Sequence, residues 1–433
     1  MIVQRVTGEI TYERFYQDFL LPNRPVILGS ELVKSWPAFH LWTTPPSLSE
    51  GSDVNRSLEY TATINWTYLA ESYGTQEVSV ADCSSCDSFG NLECESSTFG
   101  RVVGMWERGQ GQSLYVKDWH LARAVVALAR GTGSNSKPPT DAGEFYSVPD
   151  IFKDDWMNDY YGARTNDDFR FVYVGAAGTY TPLHRDVYCS YSWSTNVCGR
   201  KRWWLFPPEQ TSFLFMRERN VVVHDVRDVD ERQFPEFGKA RPVVVDQEAG
   251  ETIFVPSGWY HQVENLTECI SINHNWCNSV NLPMLYASMC DKVVEVERAL
   301  DDVREMMMMM ASSSSKGPGS TDGPGSWQQE FTKVVQDVVK QDAGWNWLTF
   351  WRMVRHVLQG IVNDTTSTVD GIQANGKRPD APSNLRPTNS FIHEKVRGCY
   401  RDFVSRDRME CTGEVLLVVE DVSKLLNTIG ALS

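Results

Sequence analysis

The segment Tyr180–Pro208 reads YTPLHRDVYCSYSWSTNVCGRKRWWLFPP, and Phe254–Leu266 reads FVPSGWYHQVENL. Both belong to a stretch from about 168 to 277 in which short runs rich in Val, Ile, Phe, Tyr and Trp alternate with Gly, Pro and Asn. Such runs are typical of packed strands. We therefore expect a mainly β fold with α additions, built around a double-sheeted barrel or jelly roll. The clearest predicted strands are Phe169–Val174, Lys201–Phe206, Val243–Val245, Thr252–Val255 and Ile270–Trp276.

The sequence before the predicted barrel mixes helical and extended signals. Tyr12, Phe15 and Phe19 recur at helical spacing, and an extended stretch follows at Val26–Leu28. A short helix that leads into a strand is the plain interpretation. We expect residues 1–165 to form an N-terminal α/β region that packs on the barrel.

The sequence after the predicted barrel is helical in character. Stretches rich in Gly, Ser and Pro at about 312–326 and 364–388 are typical of flexible linkers. The predicted organisation is therefore a β core over 166–280 and a C-terminal helical region with linkers over 281–433. One part of this region is too aromatic to be left in water, so we expect it to be buried. It contains Trp345, Trp347, Phe350 and Trp351.

The composition limits the classes of function. The 433 residues are 41% hydrophobic and 12% aromatic, which is ample for a large folded core. The formal net charge of −15 argues against direct nucleic-acid binding, which depends on Lys and Arg. An acidic surface suits a basic partner, or it only keeps the protein in solution. The first residues lack a secretory signal, and no long apolar stretch suggests a membrane span, so we expect a cytoplasmic protein, with the nucleus left open.

Ten cysteines are scattered along the chain, and in a reducing compartment we expect mostly buried thiols. Cys83, Cys86 and Cys94 cluster in ADCSSCDSFGNLEC, which we interpret as a polar loop. CxxC is half of a zinc signature, but the second half is missing apart from Cys94. The sequence does not decide whether these three cysteines bind a metal.

Three residues of the quoted segments have the side chains of a metal site. His184 and Asp186 are two positions apart, which on an extended strand places both on one face. His261 follows a predicted strand end at Pro256–Gly258. Two imidazoles and one carboxylate bind ferrous iron and leave coordination positions open for a 2-oxo acid and oxygen. An HxD pair alone is often an ordinary polar turn, but its combination with the other two motifs favours the metal.

A basic strand follows the HxD motif. A 2-oxo acid with a second carboxylate would need a cation inside the barrel, because an unpaired buried charge is unfavourable. Strand alternation sends Lys201 and Trp203 to one face and Arg202 and Trp204 to the other. Lys201 is therefore the candidate cation, and the alternative is that all these basic residues are solvated.

Together with LYVKDWHL at residues 114–121, these segments closely resemble the jumonji-C domain family. The resemblance covers most of residues 10–290 and implies a double-stranded β-helix, a jelly-roll or cupin-like core. It also implies an oxygenase that uses iron(II), 2-oxoglutarate and O2. Within the family, the string that begins at Tyr180 is most similar to lysyl hydroxylases of the eukaryotic translation termination factor.

The resemblance assigns roles to the residues named above. His184, Asp186 and His261 would be the catalytic metal ligands, and Lys201 would hold the distal carboxylate of 2-oxoglutarate. Four further side chains would contact the co-substrate. Two of them can donate a hydrogen bond without adding charge, or can be ordinary strand-edge and core residues; these are Thr181 and Tyr115. Two others depart from the commoner Asn and Thr of relatives but can still hydrogen-bond; these are Ser194 and Asn273.

The implied reaction converts 2-oxoglutarate and oxygen to succinate and carbon dioxide and hydroxylates a carbon. By resemblance, the substrate is a lysine side-chain carbon of the translation termination factor. Two alternatives stay open, an N-methyl-lysine demethylase that releases formaldehyde and a non-catalytic scaffold. The C-terminal helices are expected either to form a homodimer or to cover the substrate groove.

Overall fold

The computed structural model describes residues 2–45, 62–87, 91–131, 145–216, 221–313, 326–370, 383–406 and 413–432. These residues form two compact units. The first contains Met1–Lys153, Asn166–Asp186 and Tyr191–Trp276. The second contains Asp154–Thr165, Val187–Ser190 and Cys277–Ser433.

The strands belong to the first unit. In chain order they are β1 Gln4–Val6, β2 Val26–Leu28, β3 Thr43–Thr44, β4 Thr63–Ile64, β5 Glu77–Cys86, β6 Leu92–Thr98, β7 Leu114–Trp119, β8 Arg170–Gly175, β9 Tyr180–His184, β10 Tyr191–Cys198, β11 Lys201–Phe206, β12 Val243–Gln247, β13 Thr252–Val255, β14 Tyr260–Asn265 and β15 Cys269–Trp276.

The helices of the first unit are α1 Tyr12–Phe15, which continues as a π-helical turn over Tyr16–Leu20, α2 Ala38–Leu41, α3 Trp66–Tyr73, α4 Phe99–Glu107 and α5 Leu121–Gly131. Those of the second unit are α6 Trp156–Arg164, α7 Leu282–Ala299, α8 Asp301–Ser313, α9 Ser326–Ala343, α10 Trp347–Asp370, α11 Asn389–Ser405 and α12 Gly413–Leu432.

Two main sheets build the first unit. Among the described residues, the larger sheet has the order β1-β2-β13-β10-β15-β8-β7-β5-β6, and the smaller has the order β12-β11-β14-β9. The predicted jelly-roll class is confirmed. The predicted strands at Lys201–Phe206 and Thr252–Val255 have the observed bounds, and the other three differ by one or two residues at their ends.

The two sheets share an apolar core. Ile27, Ile253 and Val255 of the larger sheet belong to one buried cluster with Trp203 and Leu205 of the smaller sheet. Each fully buried aliphatic side chain stabilises the folded state by about 1.5–3 kcal/mol. Trp203 and Leu205 are alternate residues of β11, and strand alternation places both on the interior face of this strand.

Aromatic side chains cover the opposite face of the larger sheet. The ring centroids of Phe15 and Phe254 are 5.1 Å apart, and those of Phe152 and Trp193 are 5.4 Å apart. Phe15 belongs to the short helix that the sequence predicts, and this helix begins where the Thr11 hydroxyl accepts a hydrogen bond from the amide of Arg14. The predicted helix thus continues the core across this face.

The N-terminal region contributes strands to the larger sheet itself. β7 pairs with β8, and β5 pairs with both β6 and β7. The prediction of a polar loop around Cys83, Cys86 and Cys94 is therefore wrong, because these residues lie on β5 and β6. The polar residues that suggested a loop face solvent on the edge hairpin. The Cys86 thiol lies 3.7 Å from the His224 ring nitrogen Nε2.

The second unit, described by itself, is helical. Its aromatic stretch is buried, as the sequence predicts, with the rings of Trp347 and Phe403 5.0 Å apart. The predicted linkers lie largely outside the described residues, which end at Ser313 and Asp370 and resume at 326 and 383. None of the helices in the described ranges combines the length and apolar character that crossing a bilayer requires.

Candidate metal centre

Two neighbouring strands place the histidines of the predicted triad together. His184 ends β9 and stands directly opposite His261 on β14, and their ring centroids are 4.2 Å apart. The pairing shifts between His261 and Val263, and such an irregularity changes the direction of a side chain. Asp186 lies two residues beyond the end of β9, in the turn and not on the strand as the spacing suggested.

Hydrogen bonds orient all three ligand side chains. His184 Nδ1 lies 2.8 Å from the carbonyl of Pro182, and His261 Nδ1 lies 3.1 Å from that of Trp259. Because a carbonyl only accepts, each Nδ1 carries the proton and each Nε2 keeps its lone pair. The Ser192 hydroxyl donates to Asp186 Oδ2 over 2.8 Å. Hydrogen bonds thus hold the three side chains in the orientation that metal ligands need.

The donor set fits a ferrous ion. One ligand atom each of His184, Asp186 and His261 lie within 4.8 Å of one another. Burial, together with the neighbouring His261, lowers the pKa of His184 to about 4, so that imidazole is neutral at physiological pH. Neutral imidazole is the form that binds a metal. Two such nitrogens and a carboxylate suit iron(II) and leave positions open.

A second group of similar composition is satisfied by the protein itself. His120 Nδ1 lies 2.7 Å from an oxygen of Asp168. Asp167 forms an ion pair of 2.5 Å with Arg123. A carboxylate already paired with a guanidinium offers less to a metal ion, so this group makes a matched comparison for the triad.

Lys201 is buried on β11, the strand beside β14. Only 2% of its surface is exposed, and in the described part of the chain its ammonium has neither a carboxylate nor a hydrogen-bond partner. Burial lowers its pKa to about 8. Its neighbour Arg202 faces the other way and forms a two-pronged ion pair with Asp246 at 2.7 and 2.9 Å, as alternation predicts. A buried ammonium without an anion is suited to the carboxylate of a ligand.

Tyr115 lies at the same end of the barrel. Its phenol is buried and hydrogen-bonds with the side chains of Thr181 and Asn265. Burial raises the pKa of Tyr115, so the phenol stays a neutral donor. Asn265 stands opposite Lys201 in the register of β11 and β14, and its amide also donates to the Thr179 hydroxyl over 2.9 Å. The structure thus brings Tyr115 and Thr181 together with the strand neighbour of Lys201.

The two positions that depart from the family pattern contact each other. Ser194 on β10 and Asn273 on β15 are directly opposite, and the serine hydroxyl donates to Asn273 Oδ1 over 3.1 Å. Each therefore satisfies part of the other's hydrogen-bonding capacity. Their contacts to a co-substrate stay a prediction.

Sequence reasoning missed two residues of this site. Ser192, which positions Asp186, lies two residues before Ser194 on the same face of β10, and this spacing was its only signal in the sequence. Asn265 lies four residues after His261 and could have been found only through the pairing of β14 with β11.

Comparison with known proteins identifies the family of the chain. The family model described as "Cupin-like domain" matches residues 12–281. The chain is 34% identical over 308 residues to "2-oxoglutarate and iron-dependent oxygenase JMJD4" of Gallus gallus, covering 69% of this chain and 65% of that protein. The Homo sapiens protein of the same name is 35% identical over 311 residues, covering 69% and 67%.

A plant relative is named for a different activity. The chain is 34% identical over 324 residues to "Arginine-specific demethylase JMJ20" of Arabidopsis thaliana, covering 70% of this chain and 63% of that protein. The chain thus spans about two thirds of the length of these relatives. The names of the Gallus gallus and Homo sapiens relatives include iron and 2-oxoglutarate, which are the expected cofactors. The chain therefore belongs to the cupin-like domain family and, within it, to the jumonji-C group.

Proposed function

We propose that this protein is an iron(II)- and 2-oxoglutarate-dependent oxygenase that hydroxylates a lysine side-chain carbon of the translation termination factor. The observation that carries the oxygenase class is the buried Lys201 ammonium on the strand beside the one that bears His261; among the described residues it has no anionic partner. A metal triad and a cation for a dicarboxylate are what such a reaction needs in one barrel.

Bound iron supplies the oxidising chemistry: O2 and 2-oxoglutarate are consumed, succinate and carbon dioxide leave, and a C–H bond becomes C–OH. His184, Asp186 and His261 would hold the metal, and the hydroxyl of Ser192 would keep the Asp186 carboxylate in place. These protein groups provide geometry and do not change oxidation state.

The co-substrate is held by complementary charge and by neutral donors. Lys201 would receive the distal carboxylate, and the phenol of Tyr115 and the hydroxyl of Thr181 would donate to it. Trp203, whose ring lies 5.8 Å from that of His261, belongs to the apolar core beside the metal ligands. This wall excludes water from one side of the site.

The assignment of a lysine of the termination factor as the target rests on the resemblance of the quoted segments to known lysyl hydroxylases. A demethylase is the second candidate, because one relative is named an arginine-specific demethylase. The same site could then hydroxylate an N-methyl carbon, and the product would decompose to formaldehyde. The proposal keeps the cytoplasm as the compartment. It also keeps a homodimer through the C-terminal helices, which the mass of the protein in solution tests.

Mass spectrometry of purified termination factor tests the proposal. The factor is incubated with the protein, iron(II), ascorbate, oxygen and 2-oxoglutarate, beside a His184→Ala/Asp186→Ala variant and a His120→Ala control. A gain of one oxygen on a lysine, present with the control but absent with the double variant, is expected. Triad-dependent succinate without that gain would rule out this target. Formaldehyde released from methylated peptides would favour demethylation. If no succinate and no formaldehyde form, the scaffold alternative is favoured.

A further inference from the structure

The strand that carries Tyr115, a predicted co-substrate contact, contains a bulge two residues further along the chain. Tyr115 pairs with Gly175 and Val116 with Val174, but the next pair is Trp119 with Val172. Two residues of β7, Lys117 and Asp118, therefore stand opposite the single residue Tyr173 of β8. Bulges of this kind turn side chains into new directions and are common next to active sites.

Asp118 adopts an uncommon backbone conformation at this bulge. Its φ is 52°, in the left-handed region that residues other than glycine rarely adopt. Asp tolerates this region better than most residues, but the conformation still disfavours the folded state slightly. Packing around β7 thus holds the Asp118 carboxylate in an orientation that a regular strand would not give.

The carboxylate is linked to the barrel interior by one tyrosine. Tyr173 donates from its phenol to Asp118 Oδ1 over 2.6 Å, and its ring centroid lies 6.0 Å from that of Tyr115. The metal ligand Asp186 is close enough to oppose ionisation of Tyr173. Tyr173 thus connects the Asp118 carboxylate to Tyr115, a predicted co-substrate contact, and lies within the electrostatic influence of one metal ligand.

Within the part of the chain that the structure describes, Asp118 has no cationic partner. Its side chain is exposed, and across the described ranges no lysine, arginine or histidine forms an ion pair with it. Lys117 is adjacent in the chain, but its charge acts on His184 and Cys83. One carboxylate oxygen accepts a hydrogen bond from Tyr173, and the exposed side chain leaves the other oxygen accessible to a hydrogen-bond donor of a ligand.

We propose that Asp118, positioned by Tyr173, recognises the cationic end of the substrate side chain and selects lysine or arginine over neutral and acidic residues. This inference rests on the proposed function, because it assigns a specificity residue to that same site. A fixed carboxylate gains a charge-assisted hydrogen bond with an ammonium or guanidinium and repels an acidic side chain. The phenol of Tyr173 fixes the position of one carboxylate oxygen.

Binding of peptide pools tests the assignment. Each pool has one central residue, Lys, Arg, norleucine, Gln or Glu, between randomised uncharged positions. Retention by the protein is measured with iron(II) and 2-oxoglutarate in the absence of oxygen. We expect the Lys or Arg pool to be retained about 10-fold better than the norleucine pool, and Asp118→Asn to remove this preference. Tyr173→Phe should weaken the preference in part.

The matched control is Asp82→Asn, which removes a partly exposed carboxylate from the neighbouring strand β5. It should leave the preference unchanged. Equal retention of all pools by the unmodified protein, or a cationic preference that survives Asp118→Asn, would overturn the assignment. Peptide-independent succinate formation by the unmodified protein, measured in air, separates this failure from failure of the oxygenase class, since that class requires turnover of 2-oxoglutarate and the assignment of Asp118 does not.

Discussion

His184 and His261 are directly paired residues of adjacent antiparallel strands, so their ring centroids lie 4.2 Å apart, and both Nδ1 atoms point to backbone carbonyls. Replacement of either by Ala should reduce iron(II) affinity at least 100-fold, since two protein ligands rarely hold ferrous iron. Calorimetric titration with iron(II) under nitrogen measures this.

His120→Ala is the matched control for metal binding, because His120 lies in the other group of one histidine and two acids. It should leave stoichiometry and affinity unchanged. A second equivalent of iron that disappears with His120→Ala would contradict our view that Arg123 already satisfies that group.

Lys201 should make 2-oxoglutarate binding dependent on pH. Its pKa is lowered to about 8 by burial, so the ammonium is present below pH 8 and is lost above it. The KM for 2-oxoglutarate should therefore rise about 10-fold per pH unit above 8, as fewer molecules carry the cation. Succinate formation between pH 7 and 9.5 gives this profile.

Two variants of Lys201 separate charge from shape. Lys201→Met should raise the KM about 10- to 100-fold at pH 7 and remove the pH dependence, because a charge-assisted hydrogen bond is lost. Lys201→Arg should also raise the KM, since its fork differs in shape, but should keep it constant to pH 9.5. An unmodified protein with a flat profile would show that another cation binds the carboxylate.

Tyr115→Phe removes one hydroxyl that hydrogen-bonds with Thr181 and Asn265. We expect the KM for 2-oxoglutarate to rise roughly 5-fold, which corresponds to about 1 kcal/mol for one hydrogen bond. Tyr188→Phe is the control, because its phenol donates to the Trp345 carbonyl in the second unit. Equal effects of both changes on KM would point to general destabilisation and not to a co-substrate contact.

Asp154 should make stability depend on pH. Burial raises the pKa of Asp154 to about 7, although the charge of Arg386 and a hydrogen bond from the Trp156 ring oppose this rise. An unfolded aspartate has a pKa of about 3.9. Between these values the folded state keeps a proton that the unfolded chain releases. The free energy of unfolding therefore falls as pH rises from about 4 to 7, by at most roughly 4 kcal/mol.

Asp154→Asn removes this titration. It should raise the melting temperature at pH 8 and give no such gain at pH 4, as measured by calorimetry at both values. Glu305→Gln, which changes an exposed carboxylate on α8, should have little effect at either pH. A destabilised Asp154→Asn at pH 8 would mean that the ionised carboxylate is needed by its neighbours.

Local patterns in the sequence were enough for the fold class. Alternation of apolar residues in Lys201–Phe206 predicts both the strand and the side on which Lys201 is buried, because each position of a strand faces one side only. The cysteine-rich segment was wrongly predicted because its local pattern is polar and lacks the buried residues that mark a strand. Its polar residues were interpreted as a loop, yet they lie on the largely exposed edge strand β6 and on the partly exposed end of β5.

The sequence by itself determined the ligand types of the candidate site, two histidines and an aspartate near predicted strands, and a lysine on a buried face. Only the tertiary structure decided their partners. The bond from Ser192 to Asp186, the contact of Ser194 with Asn273, and the bulge at Asp118 all depend on strand pairing. Register is set by the packing of both sheets around one core, and no local pattern in a single strand contains that information.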